Sequence, residues 1–109
     1  MLCLHVYQLV KNFPMEERFA LADQMRRSAS SIPINIAEGN SRFTRNDRKR
    51  FLLIALSSLN ELHCECLLAH ELQYISHEQY EKTESEISRT SFLLTKLLHS
   101  ISHLPPRSP

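Results

Sequence analysis

Residues 45–73 read RNDRKRFLLIALSSLNELHCECLLAHELQ, a stretch without glycine or proline. Its length and apolar content predict a long helix. On a wheel of 100° per residue, its apolar side chains fall into two stripes, whereas a helix on the surface of a single bundle needs only one. One stripe contains Phe51, Ile54, Ala55, Ser58, Leu62, Ala69 and Leu72. The other contains Leu52, Leu56, Leu59, His63, Cys66 and His70.

The second stripe is the predicted oligomer interface, because an apolar surface beyond the needs of one core usually marks a protein contact. Self-association would also enlarge the small core of a 109-residue chain. In the alternative interpretation, this helix is central in the bundle and touches two helices of its own chain. That arrangement requires no second copy.

Two helices are predicted before this stretch. The first runs from about Leu2 to Asn12 and is short. The second begins at Pro14, a residue well suited to a first helical turn, and continues to about Glu38. Gly39 is expected to end it in a left-handed conformation, which glycine adopts without steric cost.

A fourth helix is predicted from the capping box of Ser76 with Gln79 to about His103. Thr44, with Asp47 three residues later, is the predicted N-cap of the third. Short loops make neighbouring helices antiparallel. The sequence therefore predicts an all-α, up-down-up-down four-helix bundle over residues 1–104, with a shortened first helix and a disordered tail at 105–109.

The overall composition agrees with a helical protein. Gly39 is the single glycine, whereas a sheet of this size would need several tight turns. Three cysteines, an odd number, favour a reducing cytoplasm over a secreted disulfide framework. No run reaches the roughly 18 uncharged apolar residues of a membrane span. We therefore expect a soluble, cytoplasmic protein.

Three segments carry a family resemblance: SIPINIAEG at 31–39, NFPMEER at 12–18 and FLLIALSSLNEL at 51–62. Together they resemble the bacterial four-helix bundle family of proteins encoded within 23S ribosomal RNA intervening sequences, which also includes the accessory variability proteins of diversity-generating retroelements. The resemblance implies a ring-like homopentamer without enzymatic activity. In the retroelement members, a basic surface binds nucleic acid and a reverse transcriptase. This chain departs from the family in its shorter segment before Leu4 and in Ser57, where glycine is usual.

A run of basic residues precedes and begins the third helix, and the first 50 residues contain nine Lys and Arg against five Asp and Glu. Such a cluster can contact several phosphates of RNA or DNA. An acidic protein partner, or a merely solvated surface, would explain it as well. Phe43 could stack on a base or plug the end of the core. The predicted nucleic-acid-binding residues are Arg42, Arg45, Arg48, Lys49 and Arg50.

Antiparallel packing of the second and third helices predicts a structural ion pair of Arg26 or Arg27 with Glu61, while Glu38 could brace the turn near Arg42. The i, i+3, i+7 spacing of the histidines and the cysteine in the second stripe is compatible with metal ligation, but a subunit contact explains it more simply. No metal or cofactor is predicted. Because no phosphate loop, nucleophile elbow or carboxylate pair with a base is present, the chain is predicted not to be an enzyme.

Overall fold

A computed structural model describes residues 1–102 of the chain. Its four α-helices are α1 (Leu2–Leu9), α2 (Leu21–Asn40), α3 (Arg45–Glu71) and α4 (His77–Ile101), and these residues contain no strand. Helix α1 packs on α2 and α4, and α3 packs on the same two helices from the other side of the bundle. The predicted all-α four-helix bundle is therefore confirmed. The predicted tail at 105–109 and the predicted domain end at 104 lie outside the described residues.

Pairs of contacts give the helix directions. The Ser28 hydroxyl meets Glu65, and one turn later along α2 the Ser31 hydroxyl meets Ser58, about two turns earlier along α3. Helices α2 and α3 are therefore antiparallel. Helix α3 meets α4 in the same sense, because His63 contacts Glu84 there while His70 contacts His77.

The connection between α1 and α2 differs from the prediction. Residues Val10–Asn12 and Met15–Glu17 each form a single 3₁₀ turn, and α2 begins only at Leu21. The predicted start at Pro14 is therefore wrong. The cause is a tertiary contact: the Tyr74 hydroxyl donates to Glu17 Oε2 at 2.9 Å, and the Phe13 and Tyr74 rings lie 5.4 Å apart. These contacts hold the segment on the α3–α4 connection.

Gly39 has a different role from the one predicted. It has no positive φ, and α2 continues through it to Asn40. A Cβ atom at this position would lie 3.2 Å from the Arg48 carbonyl oxygen and 3.3 Å from Phe51 Cβ. The absence of a side chain thus permits close approach of α2 and α3, and the predicted left-handed helix end is wrong.

Both predicted caps are confirmed. Thr44 Oγ1 accepts from the Asp47 backbone N–H at 3.1 Å. Ser76 and Gln79 form the complete capping box, with distances of 3.0 and 2.8 Å. These bonds satisfy backbone donors that have no partner within the helix, and they set the starts of α3 and α4.

Helix α3 is the central element of the core, and this corrects the predicted oligomer interface. Leu52, Leu59 and Cys66 are fully buried among the chain's own helices, and Leu56 packs against the same cluster. Burial removes the Cys66 thiol from water and raises its pKa to about 12. Leu52, Leu59 and Cys66 are therefore not a surface for a second copy. The alternative of a central helix is the correct one for them.

Helix α3 is long and apolar enough to cross a membrane, by length and composition only. The most apolar 18-residue window of α3 has a mean hydropathy of 1.4, and 33% of it is buried within the chain. Core helices of soluble proteins have the same properties, so this observation is weak evidence for a membrane segment.

Candidate nucleic-acid interface

The predicted basic residues lie together at the α2–α3 turn and on the first two turns of α3. This group, Arg42, Arg45, Arg48, Lys49 and Arg50, is called the basic end. Four of its side chains are half-buried or exposed. Arg48 is only 6% exposed. The prediction that Arg48 contacts phosphate directly is therefore corrected, because its side chain lies beneath the surface.

Phe51 positions two of these arginines. The Arg42 Cζ lies 4.7 Å and the Arg50 Cζ 4.4 Å from the centroid of its ring, both within cation–π range. Arg42 also donates from Nη2 to Glu38 Oε2 at 2.9 Å, so Glu38 braces this turn as one alternative predicted. Arg50 lies 3.9 Å from Asp47. The two guanidinium groups are thus held in place, with part of their charge compensated.

Arg45 and Lys49 are the uncompensated cations of the basic end that reach the surface, since Arg48 is buried. Neither has a carboxylate oxygen within 4.0 Å among residues 1–102. Asn46, Arg50 and Lys49 line a shallow groove of about 590 Å³ together with side chains of the next turn of α3. Phe43, in the turn, is 52% exposed and does not close the end of the core. An anion approaching the basic end therefore meets free positive charge.

An apolar face on the outer surface of α3 consists of two groups of side chains, one in this groove and one near the C-terminal end, with the exposed Ser57, Asn60, Glu61 and Cys64 between them. Its side chains are exposed by 39–54%, and none of them belongs to the stripe predicted as the interface. This apolar face consists of Leu53, Ile54, Leu67, Leu68 and Leu72.

The two histidines of the predicted interface contact α4 of their own chain. His63 Nδ1 lies 2.6 Å from Glu84 Oε2, and the His70 ring stacks on Tyr80 with centroids 4.4 Å apart. Cys66, between them, faces the core. Over the described residues, no three His, Cys, Asp or Glu side chains are grouped to hold a metal ion. The His63, Cys66 and His70 side chains are thus not brought together.

The prediction that Arg26 or Arg27 forms an ion pair with Glu61 is wrong, because another carboxylate is the partner. Arg26 and Arg27 both approach Asp23, at 3.8 and 3.6 Å. Asp23 is one turn away on the same helix, so a local pair replaces the predicted contact between helices. Arg27 and Glu61 nevertheless line one cavity between α2 and α3.

That cavity, of about 430 Å³, has a polar lining that was not predicted from the sequence. Ser28 Oγ donates to Glu65 Oε2 at 3.2 Å, and the hydroxyls of Ser31 and Ser58 lie 2.8 Å apart. Glu65 Oε1 is buried without a hydrogen-bond partner. Desolvation by burial raises the pKa of Glu65, against the hydrogen bond from Ser28, which lowers it. The available signal was the pair of serines at i and i+3 on α2.

Comparison with known proteins gives the family of this fold. A family profile described as 23S rRNA-intervening sequence protein matches residues 1–96. The chain belongs to this family. A crystal structure of a protein of unknown function from the S23 ribosomal protein family of Bacteroides thetaiotaomicron is similar, with 29% identity, 88% of this chain and 87% of that chain covered, and a TM-score of 0.77. The chain has no significant match among curated proteins.

Membership of the 23S rRNA-intervening sequence family confirms the resemblance found in residues 12–62. Neither description indicates a catalytic family. The structure gives a physical reason for the last residue of the SIPINIAEG segment, because Gly39 lies where α3 comes closest to α2. In this family member, the same segment leads directly into the turn that carries the basic end.

Proposed function

We propose that this intervening-sequence family member is a non-catalytic, homo-oligomeric bundle that binds nucleic acid through its basic end. The supporting observation is the pair of uncompensated cations, Arg45 and Lys49, beside the positioned guanidinium groups of Arg42 and Arg50. They lie at the N-terminus of a 27-residue helix. Its macrodipole adds positive potential there and favours anions.

Binding would proceed through phosphates rather than through base edges. Each cation that neutralises a phosphate releases a condensed counterion, which makes the affinity independent of sequence and strongly dependent on salt. One basic end offers few contacts. Several copies in one assembly would bind the same strand together, which increases the overall affinity by effective concentration.

The apolar face supports assembly of the chain with copies of itself. Its five large apolar side chains are exposed in two groups on one helix, and grouped apolar side chains on a surface often mark a protein contact. They replace the buried residues of the predicted interface as the proposed contact. A pentamer is the assembly that the family resemblance suggests.

The nucleic-acid proposal is tested by removing the two uncompensated charges. For Arg45→Gln/Lys49→Gln, we expect at least tenfold weaker binding of generic duplex DNA or RNA at low salt. The slope of log affinity against log salt is expected to fall by about 2, one for each lost phosphate contact. Fluorescence anisotropy across a salt series measures both quantities.

A matched control is Lys82→Gln/Arg89→Gln, which removes two exposed charges from α4 and changes the net charge equally. The control is expected to bind as the wild type does. Equal weakening in both variants would show that net charge alone matters. Absence of binding by the wild type at low salt would contradict the nucleic-acid role and favour an acidic protein partner.

Assembly is tested by placing charge on the apolar face. We expect wild-type protein to sediment as an oligomer at micromolar concentration and Leu53→Glu/Leu68→Glu to sediment as a folded single chain. The reason is that carboxylates desolvated in a contact between copies have no partner. Leu93→Glu, at an exposed leucine of α4, is the control and is expected to stay oligomeric. A folded wild-type monomer would contradict the proposed assembly.

A further inference from the structure

A second group of cations lies at the opposite end of the bundle, around the connection between α1 and α2. A cavity of about 360 Å³ there is lined by Lys11, Arg18 and Arg26, with apolar side chains between them and no carboxylate in the lining. This junction site is remote from the basic end. Arg26 and Arg42 lie on or beside α2, 16 positions apart, which is ~24 Å at 1.5 Å per residue.

The charge of the junction site is largely uncompensated. In the described part of the chain, Lys11 and Arg18 have no carboxylate within 4.0 Å. Arg26 shares Asp23 with Arg27, at 3.8 Å, and donates from Nη2 to the Arg18 backbone oxygen at 3.0 Å. This bond fixes the Arg26 guanidinium beneath the segment that carries Arg18. Its remaining N–H groups stay available to an anion.

An aromatic ring stands beside Arg18, one of these cations. Phe19 is 86% exposed, and the Arg18 Cζ lies 5.5 Å from the centroid of its ring. The segment before it is anchored to the bundle through Phe13 and Tyr74. A large apolar ring presented to water next to the guanidinium group of Arg18 is the combination on which unpaired bases stack while their phosphates are neutralised.

We propose that the junction site binds a phosphate ester that carries an unpaired base. The phosphate lies among Lys11, Arg18 and Arg26, and the base stacks on Phe19. The inference rests on the proposed nucleic-acid role and extends it, because it adds a contact selective for single strands. A duplex keeps its bases stacked inside, so it gains the charge contacts but not the ring.

The test compares single-stranded and duplex oligonucleotides by fluorescence anisotropy across a salt series. For Phe19→Ala, we expect about 5- to 100-fold weaker binding of the single strand and unchanged binding of the duplex. For Lys11→Gln/Arg18→Gln, the salt slope for the single strand is expected to fall by about 1.4, at about 0.7 for each contact. The substituted side chains are exposed, so the fold is expected to persist, with melting curves as the check.

Phe92→Ala is the matched control, because Phe92 is an exposed phenylalanine on α4 with Lys96 Nζ 5.2 Å from its ring centroid. It is expected to bind as the wild type does. Wild-type affinity in Phe19→Ala and in Lys11→Gln/Arg18→Gln would overturn the junction site, even where the Arg45→Gln/Lys49→Gln variant binds weakly. Weak single-strand binding by Phe19→Ala and Lys11→Gln/Arg18→Gln, with wild-type affinity in Arg45→Gln/Lys49→Gln, would retain the junction site and overturn the proposed basic end.

A competition arm distinguishes two sources of the same ligand chemistry. Adenosine monophosphate at millimolar concentration is added to wild type and to Phe19→Ala, each with labelled single strand bound. Displacement that depends on Phe19 assigns the site to free nucleotides as well as strands. Strand binding that depends on Phe19 but resists the nucleotide assigns it to strands alone. Displacement equal in both proteins, with equal strand affinity, overturns the proposal.

Discussion

Leu59→Ala is expected to lower the free energy of unfolding by about 2–5 kcal/mol. Leu59 is 1% exposed and lies in the main core cluster. Removing its branched end loses the transfer free energy of the deleted carbons and leaves a cavity that the surrounding helices only partly fill. Domains of this size have total stabilities of about 5–15 kcal/mol, so the loss is a large fraction. Urea denaturation followed by circular dichroism measures it.

Leu93→Ala is the control, because Leu93 is 59% exposed on α4 and lies outside the apolar face. Within a single chain, it is expected to change the free energy of unfolding by less than about 1 kcal/mol. The stability loss in Leu59→Ala is expected to be the same at all protein concentrations, since Leu59 packs on its own chain. A loss that grows on dilution would instead place Leu59 between subunits and contradict the assignment of its contacts.

Gly39→Val is expected to cost about 1–3 kcal/mol of unfolding free energy through overpacking. The added Cβ would lie 3.2 Å from the Arg48 carbonyl oxygen, a backbone atom that moves only if the start of α3 moves. Because Gly39 is helical with a negative φ, the expected loss comes from contact between helices rather than backbone conformation. Thermal unfolding monitored at 222 nm gives the change.

Ala37→Val is the matched control, since Ala37 is exposed on the same helix two residues earlier. It is expected to be nearly neutral, within about 0.5 kcal/mol. Valine is intrinsically a better helix former than glycine, so propensity alone predicts stabilisation by Gly39→Val. Stabilisation in that variant would therefore contradict the close approach of α2 and α3.

The features predicted correctly from the sequence are those fixed by local interactions. The caps at Thr44 and Ser76 form between residues three apart, and helix periodicity is likewise local. The start of α2 was missed because a hydrogen bond from Tyr74, far along the chain, holds Glu17 outside the helix. The predicted partner of Arg26 or Arg27 was Glu61 on the neighbouring helix, whereas both arginines approach Asp23 one turn away on their own helix.

In the candidate sites, too, features fixed by local sequence were predicted and features that depend on contacts between helices were not. The run of charges at 42–50 can be read directly from the sequence, and in the structure it lies at one end of the bundle. The wheel of α3 identified two apolar stripes but could not tell which neighbour each one meets. Leu52 and Leu59 were therefore assigned to a second copy, although α2 and α4 of the same chain cover them. Lys11, Arg18 and Arg26 were not grouped, because they come together only through the irregular connection between α1 and α2.

The ring of Phe51 has a consequence for the entropy of binding. Long cationic side chains usually lose rotamer freedom when an anion immobilises them, at about 0.5–1.5 kcal/mol each. Arg42 and Arg50 already rest against one aromatic ring, so much of that ordering precedes the ligand. Phe51, together with Glu38 and Asp47, therefore preorganises two donors before an anion arrives, and its replacement by leucine would weaken anion capture without removing a single charge.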